Sequence, residues 1–248
     1  MNRASLPLHP GALSHYVDVA AYQRRYTTRA EDVAYYVRLS RRAGGEVLEY
    51  GCGNGRVTLA LARAGVRVTG VDASRFMVQD LRQRLKLEPS EVRRRVRLVQ
   101  GDMRTQRLSR RFRLVIMPFN VFCHLYERRD VELVLGRIRQ HLLPGGRLVF
   151  DAYMPRFEEL AGELPGYHYE PLSQVLTIEF AEEPPSVLSL RQFFPEELRM
   201  LLRYNGFQQV RMHSDFSARP LDEDTQSIVV TARADVGPRP VRKLRAKC

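Results

Sequence analysis

Long apolar runs are missing: nowhere does the chain approach the roughly 20 consecutive apolar residues that a membrane-spanning helix needs. The opening Met1-Asn2-Arg3-Ala4-Ser5-Leu6-Pro7 also lacks the apolar stretch of a secretory signal. Cysteine is scarce. Cys52, Cys123 and Cys248 form neither a disulfide framework nor a metal-ligand cluster, so no metal is expected. A reducing cytoplasm is the expected compartment, with no membrane partner. Internal repeats and low-complexity linkers are absent as well. What remains is 248 residues, 44% of them apolar, at a mean hydropathy of −0.34. That suffices to bury a full core, as one α/β domain of ordinary size or two small ones.

Lysine is nearly absent. Only Lys86, Lys243 and Lys247 stand among 40 basic residues, which against 28 acidic ones give a net charge of +12. A nucleic-acid binder is one explanation, because phosphate neutralisation uses clustered basic residues. However, the last twelve residues alone hold five basic residues and no acid, and the rest lie in short clusters such as Arg93-Arg94-Arg95 and Arg110-Arg111. Few aromatics interleave with them, so no base-stacking platform is suggested. The arginines read as solvated helix faces, and nucleic acid is not expected as a partner.

From Val33 to Tyr153, short apolar strands alternate with helical stretches. Strands are expected at 47–50, 67–72, 96–100, 112–118 and 147–153, with helices at 33–43, 56–64, 74–87 and 130–142. Continuous apolar strands between helices point to a parallel sheet covered on both faces. Beyond Tyr153 the pattern changes. Two strands at 174–180 and 186–191 read as a hairpin inserted between the fifth and sixth strands, followed by a helix over 195–204. Strands near 207–214 and 227–233 complete the sheet. The expected division is a cap over 1–32, a main domain over 33–236 with an insertion at about 154–193, and a flexible basic tail over 237–248. The insertion would sit above the carboxyl edge, where open α/β sheets bind ligands.

Three signals recur at carboxyl strand ends. Glu49-Tyr50-Gly51-Cys52-Gly53-Asn54-Gly55 joins a strand to a helix, and its glycines permit a tight turn with backbone N–H groups close to a ligand. A dinucleotide fingerprint would want glycine at position 56, where Arg56 stands. Asp72 ends the second strand, where a carboxylate can accept two hydrogen bonds from ribose hydroxyls or cap the helix after Ser74. Gly101-Asp102-Met103 follows the third strand. There Asp102 can accept from an adenine amine and Met103 can pack on the ring.

These residues, with Val71-Asp72-Ala73-Ser74 and Leu143-Pro144-Gly145-Gly146-Arg147, make the chain resemble the class I S-adenosylmethionine-dependent methyltransferases over nearly its whole length. The resemblance implies a doubly wound, seven-stranded Rossmann-like sheet whose last strand is antiparallel. It implies S-adenosylmethionine as cofactor, held by Glu49, Gly51, Cys52, Gly53, Asn54, Gly55, Asp72, Ala73, Met77, Asp102, Met103 and Pro118. Tyr26 is the candidate for the carboxylate end of the cofactor, together with Arg29. Tyr50 departs from the usual aliphatic residue. The stretch around Asp102 and Phe112 is similar to small-molecule methyltransferases, including amino-sugar N-methyltransferases. The Asn-Pro-Pro-aromatic signature of amino-DNA methyltransferases is absent, Met117-Pro118-Phe119-Asn120 standing in its place.

The expected reaction moves a methyl group to an N or O atom of a small-molecule acceptor. A non-catalytic or RNA-directed S-adenosylmethionine-binding protein is the alternative, and either a monomer or a homodimer is compatible. His124, just past the fourth strand, is either the general base or a partly buried histidine at a helix start. The acceptor pocket is expected from Phe119, Asn120 and Phe122, with Phe193 and Phe194 converging under the inserted hairpin. Tyr16 and Tyr22 can cover the cofactor, where rings near a sulfonium gain cation–π attraction.

Overall fold

The computed structural model describes residues 14–26, 28–181 and 185–235. The basic tail at 237–248 and the first half of the expected cap lie outside them. A 3-10 turn at Ser14–Tyr16 and α1 (Val19–Tyr26) precede α2 (Glu31–Ala43). Then β1 (Val47–Tyr50), α3 (Arg56–Arg63), β2 (Val68–Asp72), α4 (Arg75–Lys86), the short α5 (Ser90–Arg93), β3 (Val96–Gln100) and β4 (Phe112–Met117) follow. A 3-10 turn at Val121–His124 leads to α6 (Arg128–His141) and β5 (Leu142–Tyr153). The insertion holds α7 (Phe157–Leu160), β6 (Tyr167–Glu170), β7 (Val175–Phe180) and β8 (Ser186–Arg191). The chain returns through α8 (Pro195–Tyr204), β9 (Phe207–Ser214) and β10 (Ser227–Ala234).

The main sheet has seven strands in the order β3-β2-β1-β4-β5-β10-β9. The first five strands run parallel, and β10 is antiparallel to both β5 and β9. The strand order reverses beside β1, so the carboxyl ends of β1 and β4 splay around a crevice, where such sheets bind ligands. β4 shows why its strands read as unbroken apolar runs. Leu114 and Ile116 pack with Tyr36, Val57 and Leu61 of α2 and α3, while Val115 and Met117 pack with Val131, Leu135 and Ile138 of α6. A strand buried on both faces has no polar alternation to show.

Tyr50 keeps its polar end satisfied inside the core. Its hydroxyl lies 2.8 Å from His141 Nδ1, and His141 Nε2 accepts from the Leu108 N–H at 3.0 Å. The insertion carries the expected hairpin of β7 and β8, and β6 pairs with β7 to extend it to a three-stranded antiparallel sheet. Its extra strand, Tyr167–Glu170, is four residues long and only half buried, which leaves almost no apolar signal in the sequence. At the N-terminus, α1 forms a helix that buries Tyr22 despite weak periodicity.

Candidate active site

The crevice is built on the turn after β1. Gly51 (φ 66°) lies so close to the next strand's exit that a Cβ there would come within 2.3 Å of Val121 Cγ2. Only glycine combines that φ with that approach. Gly55 (φ 90°) opens α3, and a Cβ on it would meet Leu81 Cδ1 at 2.3 Å. Gly55 thus serves helix packing and does not line the crevice, contrary to its expected place among the cofactor residues.

Two carboxylates stand at the strand ends. Asp72 accepts from the Gly53 N–H through Oδ2 (2.7 Å) and from the Ser74 N–H through Oδ1 (2.8 Å), so it ties the glycine turn to the start of α4. Burial raises its pKa, and these two N–H donors offset part of the rise. Each oxygen keeps a further lone pair for a ligand hydroxyl. Asp102 is gripped by Arg104, whose Nη2 donates to Asp102 Oδ2 at 2.7 Å and whose Nη1 donates to Asp130 Oδ1 at 3.0 Å. Nothing in the local sequence marks Asp130 as part of this bracket, because it comes from the start of α6.

Around these carboxylates the crevice encloses about 1070 Å³ of atom-free space, its open mouth included. Glu49, Gly51, Cys52, Gly53 and Asn54 form its floor, and Ala73, Met77 and Met103 lie beside the two aspartates. Pro118, Phe119 and His124, which follow β4, line the crevice together with Tyr16, Tyr22 and Tyr126. The donor set fits a ligand with a vicinal diol, a planar base and a cationic centre: carboxylates for the diol and amine, methionines for the base, tyrosine rings for the cation.

Several expected residues lie elsewhere. Phe122 and Phe193 are fully buried in the core, Phe122 stacked on Phe150 at 4.4 Å and edge-on to Phe193 at 5.2 Å. Phe194 sits at the start of α8 and is 38% exposed. These three therefore do not converge on the acceptor side. An aromatic at a strand exit satisfies the core as readily as a pocket, and here the core holds Phe193. Asn120 is buried beneath the crevice wall without lining it. Tyr26 forms a second layer, its ring 4.8 Å from Phe119 and its hydroxyl 2.9 Å from His15 Nε2. Arg29 lies 4.8 Å over the Phe119 ring and pairs with Asp32.

His124 is held at both nitrogens. Tyr126 donates its hydroxyl proton to the Ser189 carbonyl of β8 at 2.7 Å. Its oxygen, 3.1 Å from His124 Nδ1, then accepts from that nitrogen. This leaves Nε2 as the acceptor for the Tyr16 hydroxyl at 2.7 Å. The insertion thus reaches the site through a backbone carbonyl rather than through Phe193 and Phe194. Tyr126 carries no local signal in the sequence, since its partner lies 63 residues away.

Glu49 carries the site's clearest pH signature. Burial pushes its carboxyl up to about 8, against the lowering effects of the Thr58 hydroxyl bond and the Arg56 charge. A group whose pKa is raised on folding stabilises fully below its unfolded value, here about 4.5, and loses that contribution as pH climbs through 8. Buried His15 and His141 act oppositely. Desolvation, reinforced by Arg25 and Arg137 respectively, lowers each to about 4, so their contribution holds above pH 6.5 and fades toward pH 4. Glu49→Gln should raise the melting temperature of the cofactor-free protein by several degrees above pH 8 and leave it unchanged below pH 5. Equal shifts at both pH values would refute a buried, protonated Glu49.

Residues 47–146 match a family described as a methyltransferase domain. The cypemycin N-terminal methyltransferase of a Streptomyces species is 27% identical over 208 residues, covering 75% of this chain and 82% of that protein. A dTDP-3-amino-3,6-dideoxy-α-D-glucopyranose N,N-dimethyltransferase of Streptomyces fradiae is 31% identical over 128 residues, 52% of this chain but only 47% of its own length. Among solved structures, the CcbJ methyltransferase of Streptomyces caelestis superposes with a TM-score of 0.71 at 26% identity, covering 82% of this chain and 94% of that one. The glycopeptide N-methyltransferase MtfA complexed with S-adenosyl-L-methionine does so with a TM-score of 0.65 at 25% identity, covering 84% and 96%. The matched segment and these superpositions lead to one conclusion: the chain carries the class I methyltransferase fold, and its residues 47–146 are similar to the methyltransferase domain of S-adenosylmethionine-dependent enzymes.

Proposed function

We propose that this enzyme methylates an N or O atom of a small-molecule acceptor, with Tyr16 and His124 together acting as its base. The observation that carries the proposal is the hydrogen-bonded series from Tyr16 through His124 and Tyr126 to the Ser189 carbonyl, whose first three members line the crevice with the two aspartates. Relatives that act on a peptide N-terminus and on amino sugars support an amine as acceptor. An RNA backbone suits the site less well, because aromatic rings and the carboxylates of Asp72 and Asp102 line it.

S-adenosylmethionine supplies an already activated methyl group, so the protein's tasks are orientation, desolvation and acceptor deprotonation. Asp72 would hold the ribose diol and Asp102 the adenine amine, with Met77 and Met103 available to the ring. Tyr16 and Tyr22 would serve the sulfonium, and Glu49 and the Gly51–Asn54 turn the methionine portion. The acceptor's proton passes to the Tyr16 oxygen while the Tyr16 proton moves to His124 Nε2. The imidazolium that forms is stabilised by the Tyr126 oxygen at Nδ1. Neither thiol takes part: burial raises the pKa of Cys52, and it pushes Cys123 up to about 12.

Tyr126→Phe removes the acceptor for His124 Nδ1–H and the tie to β8. Turnover is expected to fall about tenfold or more, mainly through the lost hydrogen bond to the imidazolium, with S-adenosylhomocysteine affinity unchanged. An acceptor panel of primary amines, amino sugars and free peptide N-termini, assayed by mass spectrometry with both proteins, tests the reading. No methylated amine or alcohol across that panel would count against it.

A further inference from the structure

The exit of β4 carries two consecutive non-glycine residues in the left-handed region, Phe119 (φ 64°) and Asn120 (φ 59°). Asparagine tolerates that region, but phenylalanine rarely adopts it, so something must hold the turn. Asp151 does. It lies near the carboxyl end of β5, paired with Val229 of β10, and its side chain has no solvent exposure. Its Oδ1 accepts from the Phe119 N–H at 2.8 Å and its Oδ2 from the Asn120 N–H at 3.1 Å. The Tyr36 hydroxyl of α2 donates to the same Oδ1 at 2.6 Å.

A fully buried carboxylate on a strand is costly unless its donors are in place, and all three here are fixed by the fold. The segment it anchors supplies Pro118, Phe119, Val121 and Leu125 to the crevice wall and carries His124 to Tyr16. Arg29 and Arg56 lie 4.8 and 4.9 Å over the Phe119 ring, which shows how far the turn projects that ring toward the cationic side of the site.

We infer that Asp151 is a positioning residue: it holds the Phe119–Asn120 turn in its left-handed form and thereby sets the wall of the cofactor crevice and the placement of His124. Only the part concerning His124 rests on the proposed reaction. The crevice wall can be tested with S-adenosylhomocysteine alone, so failure of the acceptor reading and failure of this inference are separable.

The test compares Phe119→Ala with Phe119→Gly, each with Asp151 present and with Asp151→Asn. Both substitutions remove the ring, but only glycine removes the backbone penalty. With Asp151 present, calorimetry should give S-adenosylhomocysteine affinities within about twofold of each other, because the turn is held either way. With Asp151→Asn, which leaves one of the three donors facing an amide N–H, the glycine variant should bind about tenfold more tightly than the alanine variant. The same ratio in both backgrounds would overturn the inference. Amide exchange on the unmutated chain decides the matter should Asp151→Asn fail to fold. The Phe119 and Asn120 amides are expected to exchange slowly, like strand amides. Exchange as fast as in exposed loops would likewise overturn it.

Discussion

Asp72→Ala is expected to weaken S-adenosylhomocysteine binding by about 2–3 kcal/mol, roughly 30- to 150-fold, through loss of charge-assisted hydrogen bonds to the ribose. Two effects act together. The ligand hydroxyls lose their carboxylate, and the Gly53 and Ser74 N–H groups lose the acceptor that shapes the turn. Asp72→Asn separates them: its amide oxygen can still serve one backbone donor, but it cannot accept from both hydroxyls. Calorimetry should place it between alanine and the unmutated protein. A folded Asp72→Ala protein with unchanged affinity would remove the ribose assignment.

His124→Ala should lower methyl transfer by about 10²-fold or more, the usual weight of a general base, with cofactor affinity nearly intact. Tyr16→Phe should lower it comparably, because the proton must pass through the Tyr16 oxygen to reach Nε2. Burial holds the Tyr16 pKa well above its ordinary value, so the phenol keeps its proton until the histidine takes it. The two losses should not add: once either member is gone, the relay is already broken. Full turnover in His124→Ala would return that histidine to a packing role. Additive losses in the double variant would show that the two residues act separately.

The strand-end residues that meet in the crevice are legible in the sequence, because their signals are local. The glycine turn, Asp72 and Asp102-Met103 each follow a short apolar strand, and a parallel sheet puts all such strand ends on one edge. Partners brought together by the fold are not legible in that way. Asp151 meets the Phe119 N–H from 32 residues away, and Asp130 meets Arg104 from 26. Phe193 and Phe194 show a different limit. They are adjacent and chemically identical, yet one lies in the core and the other at the surface, since an extended strand exit turns neighbours to opposite sides. The Tyr16, Tyr22 and Tyr26 series gives weak helical periodicity, and its division into a crevice layer and a layer behind it appears only in three dimensions.

One measurement bears most directly on methyl transfer to a small acceptor. The purified enzyme is incubated with methyl-deuterated S-adenosylmethionine and a size-fractionated metabolite extract, and every fraction is searched by mass spectrometry for the labelled methyl group. Label should enter a low-mass amine or alcohol, and that product should be nearly absent when His124→Ala replaces the unmutated enzyme. Label confined to nucleic acid, or no labelled product from an enzyme that still binds S-adenosylhomocysteine, would contradict it.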